Sequence, residues 1–444
     1  MGRSITRPRG ELQERQEGSH GSARWVSLWN GKQLIHAVND QAVAVDWAVG
    51  SGHQGKSYLV QFGDALFQSP LAWYASRRAW DLSPGYPAEQ RLNFLRPITE
   101  ECLTCHAGSA ATIPGTLNRY APENPIPEPA IGCERCHGDP GAHLKEARRG
   151  NIVNPARLAH SARDSTCEQC HLSGSARIPN PGRKFSDFRP GMKLEEVFSV
   201  YIPAQSQDGN QVKVVSHSEQ LALSRCAMES GGKLWCATCH DPHTVPADSQ
   251  QWHRQQCNSC HADTKPHGED CAGCHMPRIK AYDGGHTAFT DHRIRRAPGQ
   301  KKLLVRSEEL RAWREPAAPL RQRSLGLAYV NTGKLQQAYD LLRNAPRDGA
   351  VNGALGMIYL QAGEAQAALP EFEAAVKEEP QNSTRRLNLA VALFSAKQID
   401  RARQEALEAM RLEPMLQDAY VLMAELEPRR AAHWREEFEK RLKK

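Results

Sequence analysis

The chain lacks any apolar run of the roughly 18 residues that a membrane-spanning helix requires, so no helical membrane span is expected. Charged residues make up 24% and aromatic residues 7% of the 444 residues, and both shares are ordinary for globular proteins. Residues 1–20 are polar and charged, which predicts a disordered N-terminus, and they contain no stretch that resembles a secretory leader.

Cysteine, by contrast, is plentiful and clustered. The chain has thirteen cysteines, and twelve of them form six CxxC pairs between Cys102 and Cys274. Histidine makes up only 18 residues, yet it follows every one of the pairs. The six motifs are Cys102–His106, Cys133–His137, Cys167–His171, Cys236–His240, Cys257–His261 and Cys271–His275.

The CxxCH spacing is typical of covalent haem attachment. Two thiols about one helical turn apart can both add to the vinyl groups of one porphyrin, and the next imidazole then becomes the proximal ligand of the iron. The sequence therefore predicts six c-type haems. Their attachment residues are Cys102, Cys105, Cys133, Cys136, Cys167, Cys170, Cys236, Cys239, Cys257, Cys260, Cys271 and Cys274, and their proximal ligands are His106, His137, His171, His240, His261 and His275.

Other uses of paired cysteines fit less well. Zinc ribbons and thioredoxin-like pairs also contain CxxC, but neither requires a following histidine. A disulfide framework predicts less uniform spacing. Cys226 lies outside the motifs and is expected to be an inert buried thiol.

The basic charge is weak evidence for a nucleic-acid partner. The formal net charge is +7, but each haem carries two propionates, so six haems would add about twelve negative charges. With reduced irons the chain and its haems would then be net acidic, and we predict no nucleic-acid partner.

Further histidines are candidates for the distal ligands. A proximal histidine lies on one face of its porphyrin, so a residue close to it in sequence is expected to serve a neighbouring haem. The distal candidates are His53, His143, His217, His243, His286 and His292, each of which could instead be a surface or hydrogen-bonded core histidine. No ligand role is expected for His20, His36, His160, His253, His267 and His433. An iron with two histidine ligands has no open position, which favours electron transfer over substrate binding.

The fold class is expected to be mixed, with a different structure in each part of the chain. Residues 21–95 predict a β-rich module, with a two-residue hairpin turn at Asn30-Gly31 and a second hairpin around Gly63-Asp64. Residues 96–294 form the predicted hexahaem cytochrome c domain, which has little regular structure and should not fold without haem. Residues 295–316 are predicted to be a linker.

Residues 317–444 carry an internal repeat of helix-turn-helix type. Small, aromatic and proline positions match a 34-residue tetratricopeptide repeat at Leu355, Gly356, Tyr359, Gly363, Ala368, Phe372, Ala375 and Pro380. An earlier copy, shorter by four residues, and a later copy agree less completely. We expect about three copies stacked into an all-α solenoid whose concave face docks a redox partner protein, or which acts only as a helical cap.

With these motifs, the chain resembles bacterial multihaem cytochromes c, and it is distantly similar to the lineage of tetrahaem cytochromes, nitrite reductases and hydroxylamine oxidoreductases. The resemblance rests on the stretches Gly50–His53, Cys133–Gly138, Cys236–His243 and Cys274–Pro277. It implies electron transfer in the periplasm or outside the cell through closely packed, mostly bis-histidine haems.

Two departures from this resemblance affect the prediction. Similar cytochromes usually begin with a leader and a further CxxCH, so we expect either that the true start lies upstream of Met1 or that the chain is a fragment. No CxxC is followed by lysine, which disfavours the nitrite-reductase type of active haem. The alternatives to an electron carrier are a reductase of a small nitrogen or sulfur compound at one five-coordinate haem, and a scaffold. The oligomeric state stays open.

Overall fold

The computed structural model describes residues 5–8, 15–50, 52–86, 92–204, 212–261, 269–296 and 307–443. Strands dominate the N-terminal part of this range, short helices the middle, and longer paired helices the C-terminal part.

The N-terminal part, here called the β module, consists of antiparallel strands. They are β1 (Ile5–Thr6), β2 (Gln16–His20), β3 (Ala23–Trp29), β4 (Leu34–Val38), β5 (Gln41–Ala44), β6 (Trp47–Val49), β7 (Gly55–Phe62), β8 (Ala65–Gln68), β9 (Leu71–Tyr74), β10 (Ala79–Leu82) and β11 (Arg96–Pro97). Within the described residues, β2 to β5 form a four-stranded meander, and the other seven strands form a second sheet. The β-rich N-terminal region is therefore confirmed.

The first hairpin turn is longer than expected, and the second has the expected length. Trp29 pairs with Leu34, so the first turn contains four residues, not the two expected, and the Asn30 side chain accepts hydrogen bonds from the backbone of Lys32 and Gln33. Phe62 pairs with Ala65, and this leaves Gly63-Asp64 as the two-residue turn that the sequence predicts.

The polar N-terminus also contains strands. We expected residues 1–20 to be disordered, but β1 pairs with β6 and β2 pairs with β3. Strand β2 exposes Glu17 and Ser19, and an antiparallel strand with one solvated face needs few apolar side chains. The prediction from polar composition was therefore wrong for these two strands, because backbone pairing does not require apolar side chains.

The central region, residues 96–296, is built from short helices and two small sheets. The helices are α1 (Glu100–His106), α2 (Glu134–His137), α3 (Gly141–Lys145), α4 (His160–His171), α5 (His217–Ala222), α6 (Arg225–Glu229), α7 (Cys236–Cys239), α8 (Ser249–Asn258) and α9 (Cys271–His275). Strand β12 (Ala176–Pro179) pairs with β13 (Phe198–Pro203), and β14 (Arg278–Lys280) pairs with β15 (Ala288–Thr290).

The C-terminal part, here called the repeat region, is a stack of antiparallel helix pairs. Its helices are α10 (Arg321–Asn331), α11 (Leu335–Leu342), α12 (Gly349–Gln361), α13 (Ala365–Glu378), α14 (Ser383–Ser395), α15 (Ile399–Leu412), α16 (Gln417–Leu426) and α17 (Ala431–Arg441). Helices α12, α14 and α16 begin 34 residues apart, which agrees with the predicted repeat length. The described residues form four helix pairs, one more than expected, because Trp434 and Phe438 of α17 complete a last pair that the repeat pattern does not mark.

Small residues let the paired helices approach each other. A Cβ atom added to Gly356 would lie 2.9 Å from the Phe372 ring, and one added to Gly326 would lie 2.6 Å from Leu342. The predicted positions Gly356 and Phe372 therefore meet across the pair of α12 and α13, and Gly326 and Leu342 meet in the same way across α10 and α11.

The repeat region packs against the rest of the chain. Strand β16 (Leu310–Ala312) lies inside the expected linker and pairs with β13. Helix α10 covers this sheet, and its buried Arg323 donates to the carbonyl of Pro179 at 3.0 Å. Further along, the Leu117 backbone N–H donates to Glu413 at 2.7 Å. One face of the repeats is thus occupied by the chain itself.

Candidate functional site

Each CxxCH motif lies on or at the end of a short helix. Residues i, i+3 and i+4 of a helix share one face, so each pair of thiols and its imidazole project to the same side. The His137 backbone N–H donates to the Cys133 carbonyl at 2.8 Å, and that of His261 donates to Cys257 at 3.0 Å, which closes the turn in both motifs. The local fold therefore presents the three side chains together.

Aspartates cap two of these helices at their N-termini, α9 at the start of its motif and α8 at the end opposite to its motif. The Asp248 side chain accepts a hydrogen bond of 2.9 Å from the Gln251 backbone at the start of α8, and Asp270 accepts one of 2.7 Å from Gly273 at the start of α9. An N-cap aspartate stabilises a helix by roughly 1 kcal/mol, which matters for a helix as short as α9.

All thirteen cysteines are free thiols, so no disulfide links the motifs. The thiols of Cys105 and Cys170 are in hydrogen-bonding contact, as are those of Cys167 and Cys236, and the first, third and fourth motifs are therefore neighbours. Contact with Cys170, followed by the nearby Arg177, lowers the pKa of Cys105 to about 6. Within the described ranges, no three or more His, Cys, Asp or Glu side chains converge as a metal-binding group.

Imidazoles of the motifs lie close to imidazoles from outside the motifs in the central region. Ring-centroid distances are 5.9 Å for His137–His243, 5.1 Å for His171–His217, 4.8 Å for His217–His292, 6.2 Å for His240–His292 and 5.8 Å for His240–His253. The tertiary fold thus brings three of the six predicted distal candidates against proximal histidines of other parts of the chain.

The separations fit ligation of an iron from both faces. With an imidazole nitrogen about 2 Å from the metal on each side, the two ring centroids would be about 6 Å apart. The rings of His137 and His243 have this separation and are nearly parallel, at 21°, and those of His240 and His292 have it at 31°. The His171–His217 pair is about 1 Å closer and perpendicular, at 87°.

Backbone carbonyls orient several of these rings. Nδ1 of His137 is 2.8 Å from the Val153 carbonyl, and Nδ1 of His275 is 2.6 Å from the Arg295 carbonyl. A carbonyl can only accept, so Nδ1 carries the proton and Nε2 keeps the lone pair that binds a metal. The arrangement matches the usual outer contact of a metal-bound histidine.

Burial keeps the central imidazoles neutral. It lowers the pKa of His217 to about 3, and it also lowers the pKa of His106, His171, His240 and His292. The neutral form is the one that coordinates a metal.

The central region contributes few apolar side chains to a core. Among the described residues, none of the buried hydrophobic side chains falls within 127–161 or 213–280, and these two segments carry four of the six motifs. Leu144 and Val245 in the same segments are 79% and 92% exposed. Such segments need an apolar surface from elsewhere, and flat porphyrins fit that requirement.

The other three distal candidates, His286, His143 and His53, are described by contacts other than those with proximal histidines. His286 is part of a surface contact with the β module, where its Nε2 lies 2.6 Å from Asp81 and 2.7 Å from Arg77. His143 lies in α3 and, in the part of the chain that the structure covers, its buried Nδ1 has no hydrogen-bond partner. His53 lies in the turn between β6 and β7. His267, for which no role was expected, lies outside the described residues.

One histidine near the site was given no role from the sequence. His253 lies 5.8 Å from His240, between ring centroids. The signal was its position four residues before Cys257 on α8, since this spacing places it on the helix face of the fifth motif.

Comparisons with known proteins give partial matches, one of which lies in the repeat region. The tetratricopeptide repeat family matches residues 359–426. The dissimilatory sulfite reductase MccA of Wolinella succinogenes is 27% identical over 183 residues, which cover 33% of this chain and 22% of that protein. The chain therefore spans about a fifth of the length of this curated relative.

Among solved structures, the repeat proteins are similar over a small share of the chain. MamA from Desulfovibrio magneticus RS-1 is 21% identical and covers 28% of this chain and 73% of its own, with a TM-score of 0.26. YrrB is 18% identical to this chain, and the match covers 28% of this chain and 67% of YrrB, also with a TM-score of 0.26. In the described residues, no helix is both long and apolar enough to cross a membrane.

Proposed function

We propose that this chain is a c-type cytochrome that transfers electrons through six covalently attached haems and docks a redox partner protein on its repeat region. The observation that carries the proposal is the set of six CxxCH turns together with imidazole pairs at the separation that an iron would require. Bound haem supplies reversible one-electron chemistry. The weak similarity to a sulfite reductase and the tetratricopeptide family match support the two parts of the proposal.

The chain's own residues have three tasks in this proposal. The paired cysteines form the thioether bonds, and the histidine of each motif binds from the proximal side. We assign His243 opposite His137, His217 opposite His171, and His292 opposite His240, on the basis of the ring distances. His53, His143 and His286 stay candidates for the other three motifs.

The proposed domains and location follow from the same assignment. The proposed haem domain comprises residues 96–294. In sequence it follows the β-rich module at 21–95 and precedes the linker at 295–316 and the repeats at 317–444. Covalent haem attachment takes place outside the cytoplasm, so we propose a periplasmic or extracellular location.

The primary test is the intact mass of the chain produced in a host that can attach haem. We expect the mass of the polypeptide plus six haems, and a pigment that stays with the protein in acid acetone. A colourless product, or one that releases its pigment into the solvent, would contradict the proposal.

A pair of variants tests the ligand assignment. His292 and His253 both approach His240, with 6.2 and 5.8 Å between ring centroids, and we assign His292 because its Nδ1 donates to the Thr290 carbonyl, so that its Nε2 carries the lone pair that binds a metal. We expect His292→Ala to convert one low-spin ferric haem per chain to high spin, and His253→Ala to leave the spectrum unchanged. The reverse result would assign His253 as the ligand.

The second candidate function is reduction of a small sulfur or nitrogen compound at one five-coordinate haem. The similarity to a dissimilatory sulfite reductase favours it. It predicts a high-spin ferric component in the unmodified protein and binding of sulfite or cyanide at one iron per chain. The electron carrier predicts neither, so one spectroscopic titration separates the two functions.

A further inference from the structure

The chain that follows the sixth motif folds back onto that motif. Strand β14 pairs with β15, and the residues after β15 return to the helix they came from. The Asp291 backbone N–H donates to the Pro277 carbonyl at 3.0 Å, and that of Arg295 donates to the His275 carbonyl at 2.9 Å. We call residues 288–295 the return strap.

A buried carboxylate holds the return strap together. Asp291 is 0% exposed, and its Oδ1 accepts from Arg293 Nε at 2.7 Å. Its Oδ2 accepts from Arg293 Nη2 at 2.8 Å and from Arg295 Nε at 2.9 Å. Two guanidinium groups thus converge on one carboxylate. Removing a single partner of such a buried ionic group strongly destabilises the fold, because it leaves the opposite charges without compensation.

The strap contacts imidazoles that belong to two different motifs. The Arg295 carbonyl accepts the Nδ1 proton of His275 at 2.6 Å and so orients the proximal ring of the sixth motif. His292, the residue after Asp291, approaches the proximal ring of the fourth motif, with 6.2 Å between its ring centroid and that of His240.

His292 is itself held by several contacts. Its backbone N–H donates to Gln220 at 2.9 Å, and its Nδ1 donates to the Thr290 carbonyl at 2.9 Å. The orientation of the ring therefore depends on where the strap backbone places the Thr290 carbonyl. Since Asp291 clamps that backbone on both sides of His292, its carboxylate controls the ring indirectly.

We propose that Asp291 is a positioning residue that sets the imidazole orientation for two haems at once, those attached at Cys236–Cys239 and at Cys271–Cys274. This inference rests on the function proposed above. One carboxylate then influences the coordination geometry of both centres, because it holds Arg295, whose carbonyl contacts His275, and belongs to the residue directly before His292. A merely structural ion pair would instead affect stability and leave both irons unchanged.

The test compares Asp291→Asn, Asp291→Glu and a control in the purified protein with its haems attached. The control is Asp348→Asn, which breaks another buried ion pair, that with Arg323, in the repeat region. The readouts are intact mass, for haem content, and low-temperature electron paramagnetic resonance of the ferric protein, for ligand orientation and spin state.

We expect Asp291→Asn to keep six haems and to shift the signals of two of them, or convert these to high spin. Asp291→Glu should restore the signals at least in part, because the carboxylate returns with one extra methylene. Asp348→Asn should lower stability and leave the spectrum unchanged. An unchanged spectrum of Asp291→Asn, or a change at one haem alone, would overturn the inference.

A second variant tests the positioning role if Asp291→Asn does not fold with its haems attached. Arg295→Gln keeps the backbone carbonyl that orients His275 but removes one arm of the clamp, and we expect it to shift at least the signal of the haem at Cys271–Cys274. An unaltered spectrum would then refute the positioning role. Fewer than six haems in the unsubstituted protein would instead be evidence against the proposed function itself, so the two failures are distinguishable.

Discussion

At the scale of single residues, histidines of this chain occupy two kinds of buried environment. Those of the central region lie against one another, whereas His36 lies alone in the core of the β module, between the rings of Tyr58 and Trp80. Its Nδ1 contacts the Ser69 hydroxyl at 2.7 Å. The sequence predicts no ligand role for His36, and the structure places it in an aromatic core.

Burial lowers the pKa of His36 to about 3, and this gives a prediction for acid stability. Between about pH 6.5 and 3 the unfolded chain binds a proton that the folded chain does not, so stability falls as the pH falls. We expect the His36 contribution to decrease by about 2 kcal/mol from pH 7.5 to 5. Urea unfolding of His36→Gln should lack this dependence, whereas His433→Gln, at an exposed position, should keep it.

At the scale of elements, the ends of the repeat helices show which turns are strained. Helices α10 and α12 end before Gly333 and Gly363, which have positive φ angles of 74° and 81°, whereas the equivalent position after α14 is Lys397, with φ of 63°. A left-handed conformation costs a residue with a Cβ atom about 1 kcal/mol or more, and glycine avoids that cost.

Replacing Lys397 by glycine is therefore expected to stabilise the protein. We predict that Lys397→Gly raises the free energy of unfolding by about 1 kcal/mol and that the matched change Gly363→Lys lowers it by a similar amount. Urea unfolding followed by far-UV circular dichroism measures both. Equal stability of Lys397→Gly and the parent would show that the turn is not strained.

The short helices of the central region depend on something other than their own packing. Helices α2, α3, α7, α8 and α9 contain no buried side chains in the described residues, and helices of four to ten residues are not stable by themselves.

We therefore predict that protein made without haem attachment is folded only in part. Limited proteolysis should cut within residues 127–161 and 213–280 and spare the β module and the repeat region, whereas the protein with haems should resist at the same positions. Equal resistance of both forms would mean that these segments fold without a cofactor.

At the scale of the whole molecule, the repeats are integrated with the preceding regions. Glu413 is 1% exposed and accepts a hydrogen bond from the Leu117 backbone, while Arg119 donates to the Leu412 carbonyl at 2.5 Å and pairs with Asp64 of the β module at 2.6 Å. A face of the repeats is thus already covered, and the partner that we propose would have to bind to another face.

The Glu413 contact gives a second prediction for pH. Burial raises the pKa of Glu413 to about 7, so between pH 4.5 and 7 the folded chain holds a proton that the unfolded chain has lost. Its stabilising contribution is complete below pH 4.5 and disappears as the pH rises through 7. We expect Glu413→Gln to gain about 2.5 kcal/mol relative to the parent between pH 5 and 8.

Urea unfolding of both proteins at several pH values measures this difference. Glu425→Gln, at an exposed position of α16, is the control and should run parallel to the parent. A constant difference between Glu413→Gln and the parent across the range would contradict the role of Glu413.

The sequence by itself determined the features that local spacing encodes. The CxxCH motifs, the two-residue turn at Gly63-Asp64 and the 34-residue repeat all depend on neighbours within about one helical turn or one repeat, and these interactions act over a short stretch of chain. The β-rich region and the repeats could be predicted for this reason.

Only the tertiary structure decided which distant residues meet. The approach of His243 to His137, that of His253 to His240 and the return of Arg295 to His275 all depend on how loops without periodicity return to the motifs. Edge pairing of polar strands such as β2 was missed as well, since backbone hydrogen bonds leave no pattern in the side chains.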